Sequence, residues 1–122
     1  ALTARLVREQ VALTVCPLSN IKLRVFDRME QHNLLTMLDA GIVVTINSDD
    51  PAYFGGYMNA NFSAAFQALP LTVAHAKQLA RNSFNAAFLP AHDKQLLLAE
   101  VEAFFQIATV QRENLLAQDA AP

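Results

Sequence analysis

Cysteine occurs once in these 122 residues, tryptophan not at all, and glycine and histidine three times each. A single thiol, Cys16, excludes an internal disulfide and a cysteine-rich zinc module, and it fits a reducing cytoplasm. Charge of one sign is also lacking. Nine Lys and Arg stand against eleven Asp and Glu, for a net charge of −2 and a pI near 5.8. With no basic run there is no electrostatic basis for binding nucleic acid or an anionic membrane, so neither is expected as a partner. No apolar stretch approaches the roughly 20 residues of a membrane span. His32, His75 and His92 form no HxH or HExxH pattern, so the histidines of this chain cannot complete a zinc site. Gly55-Gly56 matches neither GxGxxG nor a Walker motif, which leaves phosphate binding unsupported.

What is present is apolar: 53% of the residues, enough to bury the core of at most one domain. Ala1 opens in the middle of a helical pattern with no initiator methionine and no signal-like segment. Residues 1–122 are therefore expected to be a C-terminal fragment of one domain, with a frayed tail over 118–122.

The spacing predicts a helix over 2–10, with Leu2, Leu6 and Val7 facing one way and Arg5, Arg8 and Glu9 the other. A strand over 11–15 stops at Cys16-Pro17, and a loop runs on through Ser19, Asn20 and Lys22 to Arg28. Asn33 can cap a helix bearing Leu34, Leu35 and Leu38, which Gly41 ends. Residues 42–46 form a second strand, apolar almost throughout, as in parallel sheets covered on both faces. A loop over 47–57 leads to helices over 58–69 and over 72–88, the latter capped by Thr72 and closed by Pro90. A long amphipathic helix then begins at His92 or Asp93 and reaches about Ala117, with Leu97, Val101, Phe104, Phe105 and Ala108 on its buried face. This alternation belongs to βαβ units. Two strands do not make a convincing independent fold. The expected architecture is α/β: the last two β/α units and the C-terminal helices of a (β/α)₈ barrel, which when complete needs about 250 residues.

Asp49 and Asp50 stand first among candidate site residues, because the apolar strand before them leads out of a core. Barrel enzymes carry their chemistry at the C-terminal ends of strands. Alternating side-chain directions would give the two carboxylates different tasks. In the competing reading Asp50 before Pro51 only initiates a turn, and on the residues alone both stand. Ser19 and Asn20 either hydrogen-bond a substrate or hold the neighbouring loop, and loop bracing is the default for both. Cys16 has no histidine nearby to make it a nucleophile and is read as a small buried hydrophobe. Tyr53, Phe54 and Tyr57 either line an apolar pocket or fasten the loop, and packing is the default. His75 and His92 are expected at the surface.

Two segments in order, Cys16-Pro17-Leu18-Ser19-Asn20-Ile21-Lys22-Leu23 and Gly41-Ile42-Val43-Val44-Thr45-Ile46-Asn47-Ser48-Asp49-Asp50-Pro51-Ala52-Tyr53-Phe54-Gly55-Gly56-Tyr57, resemble the C-terminal part of the adenosine/adenine deaminase family of zinc-dependent (β/α)₈ barrels. The similarity extends through Arg81-Asn82-Ser83-Phe84. The Ser48-to-Tyr57 version looks more like the adenine deaminase branch than the nucleoside branch. The resemblance implies that Asp49 is a ligand of a single Zn²⁺, or of another divalent ion, and that Asp50 hydrogen-bonds the purine at N7. It implies hydrolytic deamination of adenine to hypoxanthine and ammonia, within purine salvage. The same chemistry on adenosine, or a non-catalytic barrel remnant, are the alternatives. The family's HxH pair, its further zinc-ligating histidine, its glutamate and its catalytic histidine match nothing in these residues. The isolated chain is thus expected to be inactive without the N-terminal part of its barrel. At His32-Asn33, where relatives often carry His-Pro, no function is assigned. The HxE and PCxxC signature of the nucleic-acid deaminases is absent.

Overall fold

The computed structural model describes residues 1–119, with side chains through residue 116. The order is α1 (Leu2–Glu9), β1 (Leu13–Val15), α2 (Pro17–Lys22), a 3₁₀ turn (Met29–Gln31), α3 (Leu34–Asp39), β2 (Val44–Ile46), α4 (Pro51–Phe54), α5 (Met58–Ala68), α6 (Val73–Ala86) and α7 (Ala91–Asp119). Two compact units share the chain, residues 1–86 and 87–122. The first contains a two-stranded parallel sheet, with Leu13 opposite Val44, Thr14 opposite Thr45 and Val15 opposite Ile46.

Both strands are shorter than their apolar runs, and the preceding helices are the reason. α3 ends in a Schellman closure: Gly41 takes a positive φ of 80°, its N–H bonds Leu38 O, and the Ile42 N–H bonds Met37 O. Ile42 thus spends its donor on the helix before it. At the end of α1, Gln10 adopts a left-handed φ of 51° and the Val11 N–H bonds Leu6 O. The expected strand loses its first residue in the same way.

β2 is buried along its whole length, as its composition predicted, with Val44 and Ile46 fully enclosed. They join Val15, Leu34, Ile42, Ala65, Leu69 and Leu79 in one core. α6 packs on β2, and α2 packs on α5. One polar group secures each contact. Asn82 Nδ2 donates to Val44 O at 2.8 Å. Asn61, wholly buried, accepts the Leu18 N–H at 3.0 Å and donates to Gly56 O and Tyr57 O. Gly56 has a φ of +89°, and a Cβ there would sit 2.6 Å from Leu18 Cδ1. The positive φ favours glycine, and an added Cβ would also sit 2.9 Å from Ala60 Cβ.

Two segments expected as loops contain helices. Pro17 opens α2 at its first position, where its missing N–H costs nothing, and Pro51 does the same for α4. Asn33 sits at the cap of α3 but its side chain makes no capping bond. The Leu34 N–H goes instead to His32 Nδ1 at 3.1 Å. Thr72 does cap α6, in a reciprocal arrangement: the Thr72 N–H donates to His75 Nδ1 at 2.9 Å and Thr72 Oγ1 accepts the His75 N–H at 3.5 Å. His75 is half-buried rather than superficial; His92 is exposed.

In the second unit α7 begins at Ala91 and reaches Asp119. Leu97, Val101 and Phe105 are half-buried as expected, but Phe104 and Ala108 are exposed. Leu96, Ile107 and Val110 lie off that stripe, so the apolar residues are not confined to one face and the helix is not amphipathic. Of the tail expected to fray, 118 and 119 are helical and 120–122 lie outside the described residues. Among the described residues no helix is long and apolar enough to cross a membrane.

Candidate functional site

Parallel pairing brings the C-terminal ends of β1 and β2 side by side, with the Asn47 N–H bonded to Val15 O at 2.8 Å. Cys16 and Asp49 therefore emerge at the same end of the sheet. β2 stops at Ile46, so strand alternation does not govern the two carboxylates. The backbone parts them differently. Asp49 is left-handed, with a φ of 57°, and Asp50 is extended, with a φ of −91°. Aspartate tolerates the left-handed region better than most residues do.

Each carboxylate has its own partners. Asp49 Oδ2 accepts from Ser19 Oγ at 2.6 Å, and Asp49 Oδ1 accepts the Asp50 N–H at 2.9 Å. Asp50 caps α4, its Oδ1 accepting the Ala52 N–H at 3.1 Å and the Tyr53 N–H at 3.2 Å. Among the described residues Asp50 Oδ2 has no hydrogen-bond partner. The turn-initiating reading of Asp50 is thus correct as far as Oδ1 is concerned, and the other oxygen is left for a further contact.

Ser19 holds the neighbouring loop through Asp49, as the bracing reading expects, while Asn20 turns to His32. Asn20 Oδ1 lies 3.0 Å from His32 Nε2. Because His32 Nδ1 accepts the Leu34 N–H, the neutral ring carries its proton on Nε2 and donates it to Asn20. Phe26 packs on the ring, with centroids 4.7 Å apart. His32 is 4% exposed, and burial holds its pKa below the ordinary histidine value. The unfolded chain takes up that proton more readily than the folded one, so the neutral ring's contribution is complete above about pH 6.5 and is lost as pH falls towards the lower folded-state value. Chemical unfolding across pH should show the parent losing stability relative to His32→Gln below that pH. Parallel profiles would disprove the latch.

Cys16 is half-buried. Burial raises its thiol pKa, the Asp49 carboxylate adds to the rise, and a backbone hydrogen bond from Asp49 opposes it. The group stays a thiol rather than a nucleophilic thiolate. Tyr53 and Tyr57 are 79% and 76% exposed, so neither fastens the loop within this chain. Phe54 is half-buried and meets Tyr53 edge to face at 4.9 Å.

A cavity of about 640 Å³ lies at the opposite, N-terminal ends of the strands, lined by Gln10, Gly41 and Asn82 among others. Its walls hold amides and backbone but no acid or base, and the chemistry points to the acids instead. Among the described residues no three His, Cys, Asp or Glu side chains gather as a metal site. Asp49 fits one corner of such a site: a carboxylate held by one donor on each oxygen keeps a free lone pair on each. The buried amides Asn61 and Asn82 and the ring of His32 were not singled out from the residues as parts of this framework. The available signal was a polar side chain at core spacing, Asn61 four residues before Ala65 and Asn82 three after Leu79.

The adenosine deaminase family profile matches residues 1–104. The adenine deaminase of Cupriavidus necator is 65% identical over 105 residues, which cover 86% of this chain and 30% of that protein. The crystal structure of an adenine deaminase from Arthrobacter aurescens superposes with a TM-score of 0.82 at 46% identity, covering 85% of this chain and 32% of its own. An amidohydrolase from Burkholderia ambifaria, solved with bound Zn, shares the fold with a TM-score of 0.79 at 24% identity, over 90% of this chain and 31% of its own. The chain spans about a third or less of the proteins it matches, and over that span it belongs to the adenosine deaminase family.

Proposed function

We propose that these residues are the last two β/α units and the C-terminal helices of a (β/α)₈ barrel that hydrolyses adenine to hypoxanthine and ammonia, with both compact units in one domain. The observation that carries this reading is the pair Asp49 and Asp50 at the end of a fully buried strand, one carboxylate clamped at both oxygens and the other capping a helix with one oxygen to spare. The 65% identity to an adenine deaminase favours the free base over the nucleoside. A place in purine salvage and in the cytoplasm goes with it.

Asp49 would hold one divalent ion, zinc by resemblance, together with ligands from the remaining barrel. When bound, that ion brings the pKa of water down to about 7, within reach of neutral pH. Asp49 would keep its carboxylate fixed in the orientation that Ser19 and the Asp50 N–H set. Asp50 fixes the ring. Purine N7 is an acceptor, so its bond to Asp50 needs a shared proton, carried by the acid or by the base. Tyr53, whose N–H Asp50 accepts, and Tyr57 are both exposed and would meet the substrate side or the remaining barrel.

The test joins this chain to the upstream portion of the Cupriavidus necator relative. Metal content and ammonia release are then measured on one preparation with adenine and with adenosine. Release from adenine at about one metal per barrel supports the proposal, and release from adenosine alone reassigns the substrate. A folded barrel without metal or turnover leaves a remnant. This chain by itself should release no ammonia.

A further inference from the structure

Ser19 and Ser83 both lie in helices of the first unit, yet their hydroxyls behave differently. Ser83 Oγ donates to Leu79 O, the carbonyl four residues back, at 3.0 Å. This is the ordinary local bond of a helical serine. For Ser19 the carbonyl four residues back is that of Val15, which already accepts the Asn47 N–H. The hydroxyl instead crosses to Asp49, 30 residues away, at 2.6 Å, the length of a charge-assisted O–H···O⁻ bond. Ser19 is 1% exposed. The bond sets the rotation of the Asp49 carboxylate about its last torsion. The Asp50 N–H holds the other oxygen, so the carboxylate plane is fixed from both sides.

We propose that Ser19 is a positioning residue for Asp49: the buried hydroxyl orients the carboxylate so that its remaining lone pair meets the divalent ion. This rests on the reading of Asp49 as a metal ligand. Loss of such an outer partner costs roughly 10- to 100-fold in metal affinity.

The test uses the barrel assembled from this chain and the upstream portion, with zinc alone as the probe. Its affinity is read by competition with a chromophoric chelator. Ser19→Ala should weaken zinc binding roughly 10- to 100-fold while the metal-free protein melts as the parent does. Ser19→Cys keeps the unbranched shape of the side chain, with a somewhat larger atom, but offers only a weak donor; it should show the same loss, and it carries the test should the alanine variant fail to fold. Unchanged zinc affinity in the folded variant overturns the proposal and leaves Asp49 as a ligand. Asp49→Ala is measured alongside: zinc retained in that variant overturns the ligand reading beneath it, a separate result.

Discussion

Asp49→Ala, in a barrel completed by its upstream portion, loses its divalent metal and its turnover together. The expected loss exceeds the roughly 10- to 100-fold typical of an outer partner, because the ligand itself is removed. Two structural costs accompany it. Alanine is poorly suited to the left-handed φ of 57° that Asp49 adopts, at about 1–2 kcal/mol. Ser19, 1% exposed, is left without its acceptor, at about 1–3 kcal/mol for an unsatisfied buried group. Asp49→Asn separates these effects. Asparagine tolerates the left-handed region and keeps an oxygen for Ser19, so the fold should hold while the negative charge that binds the metal is gone. Elemental analysis and thermal melting of both variants check this. Full metal content in either one refutes the assignment of Asp49.

Asp50→Ala keeps the metal and loses the purine. The bond proposed between Asp50 and N7 involves a charged or proton-sharing partner, for which about 1.5–3 kcal/mol is usual. kcat/KM for adenine should therefore fall on the order of 10- to 100-fold. Loss of the α4 cap, with its bonds to the Ala52 and Tyr53 N–H groups, adds about 1 kcal/mol of destabilisation independent of catalysis. Asp50→Asn again divides the roles. Asparagine caps as well as aspartate, and its amide can donate to N7. Its stability should match the parent and its kcat/KM should lie between those of the parent and the alanine variant. If Asp50→Ala turned over adenine at the parental rate with lowered stability, Asp50 would be a cap and nothing more.

The features legible in the residues alone are those governed by neighbours along the chain. Gly41 had to end α3, because only a residue at ease with a φ of 80° closes that turn. Thr72 had to cap a helix, and the run from Ile42 to Ile46 had to be buried, being apolar on both faces. The placement of Asp49 and Asp50 at the mouth of that strand follows from the same local logic. So did the alternation of strand and helix, although Val11 and Ile42, counted as strand, close the preceding helices instead.

What only the tertiary structure decided is which polar group meets which across the fold. Asn61 reaches Leu18 over 43 residues, Asn82 reaches Val44 over 38, and Ser19 reaches Asp49 over 30. No periodicity encodes those separations. They exist because α2, α5 and α6 are packed where the Ser19 hydroxyl and the Asn61 and Asn82 amides must find a partner or lose the free energy of burial. The helix at Pro17–Lys22 and the histidine latch at Asn20 belong to the same class. An apolar pattern states which face turns inward. The pairing of buried polar atoms depends on how closely two elements approach, and that distance is a property of the packed chain.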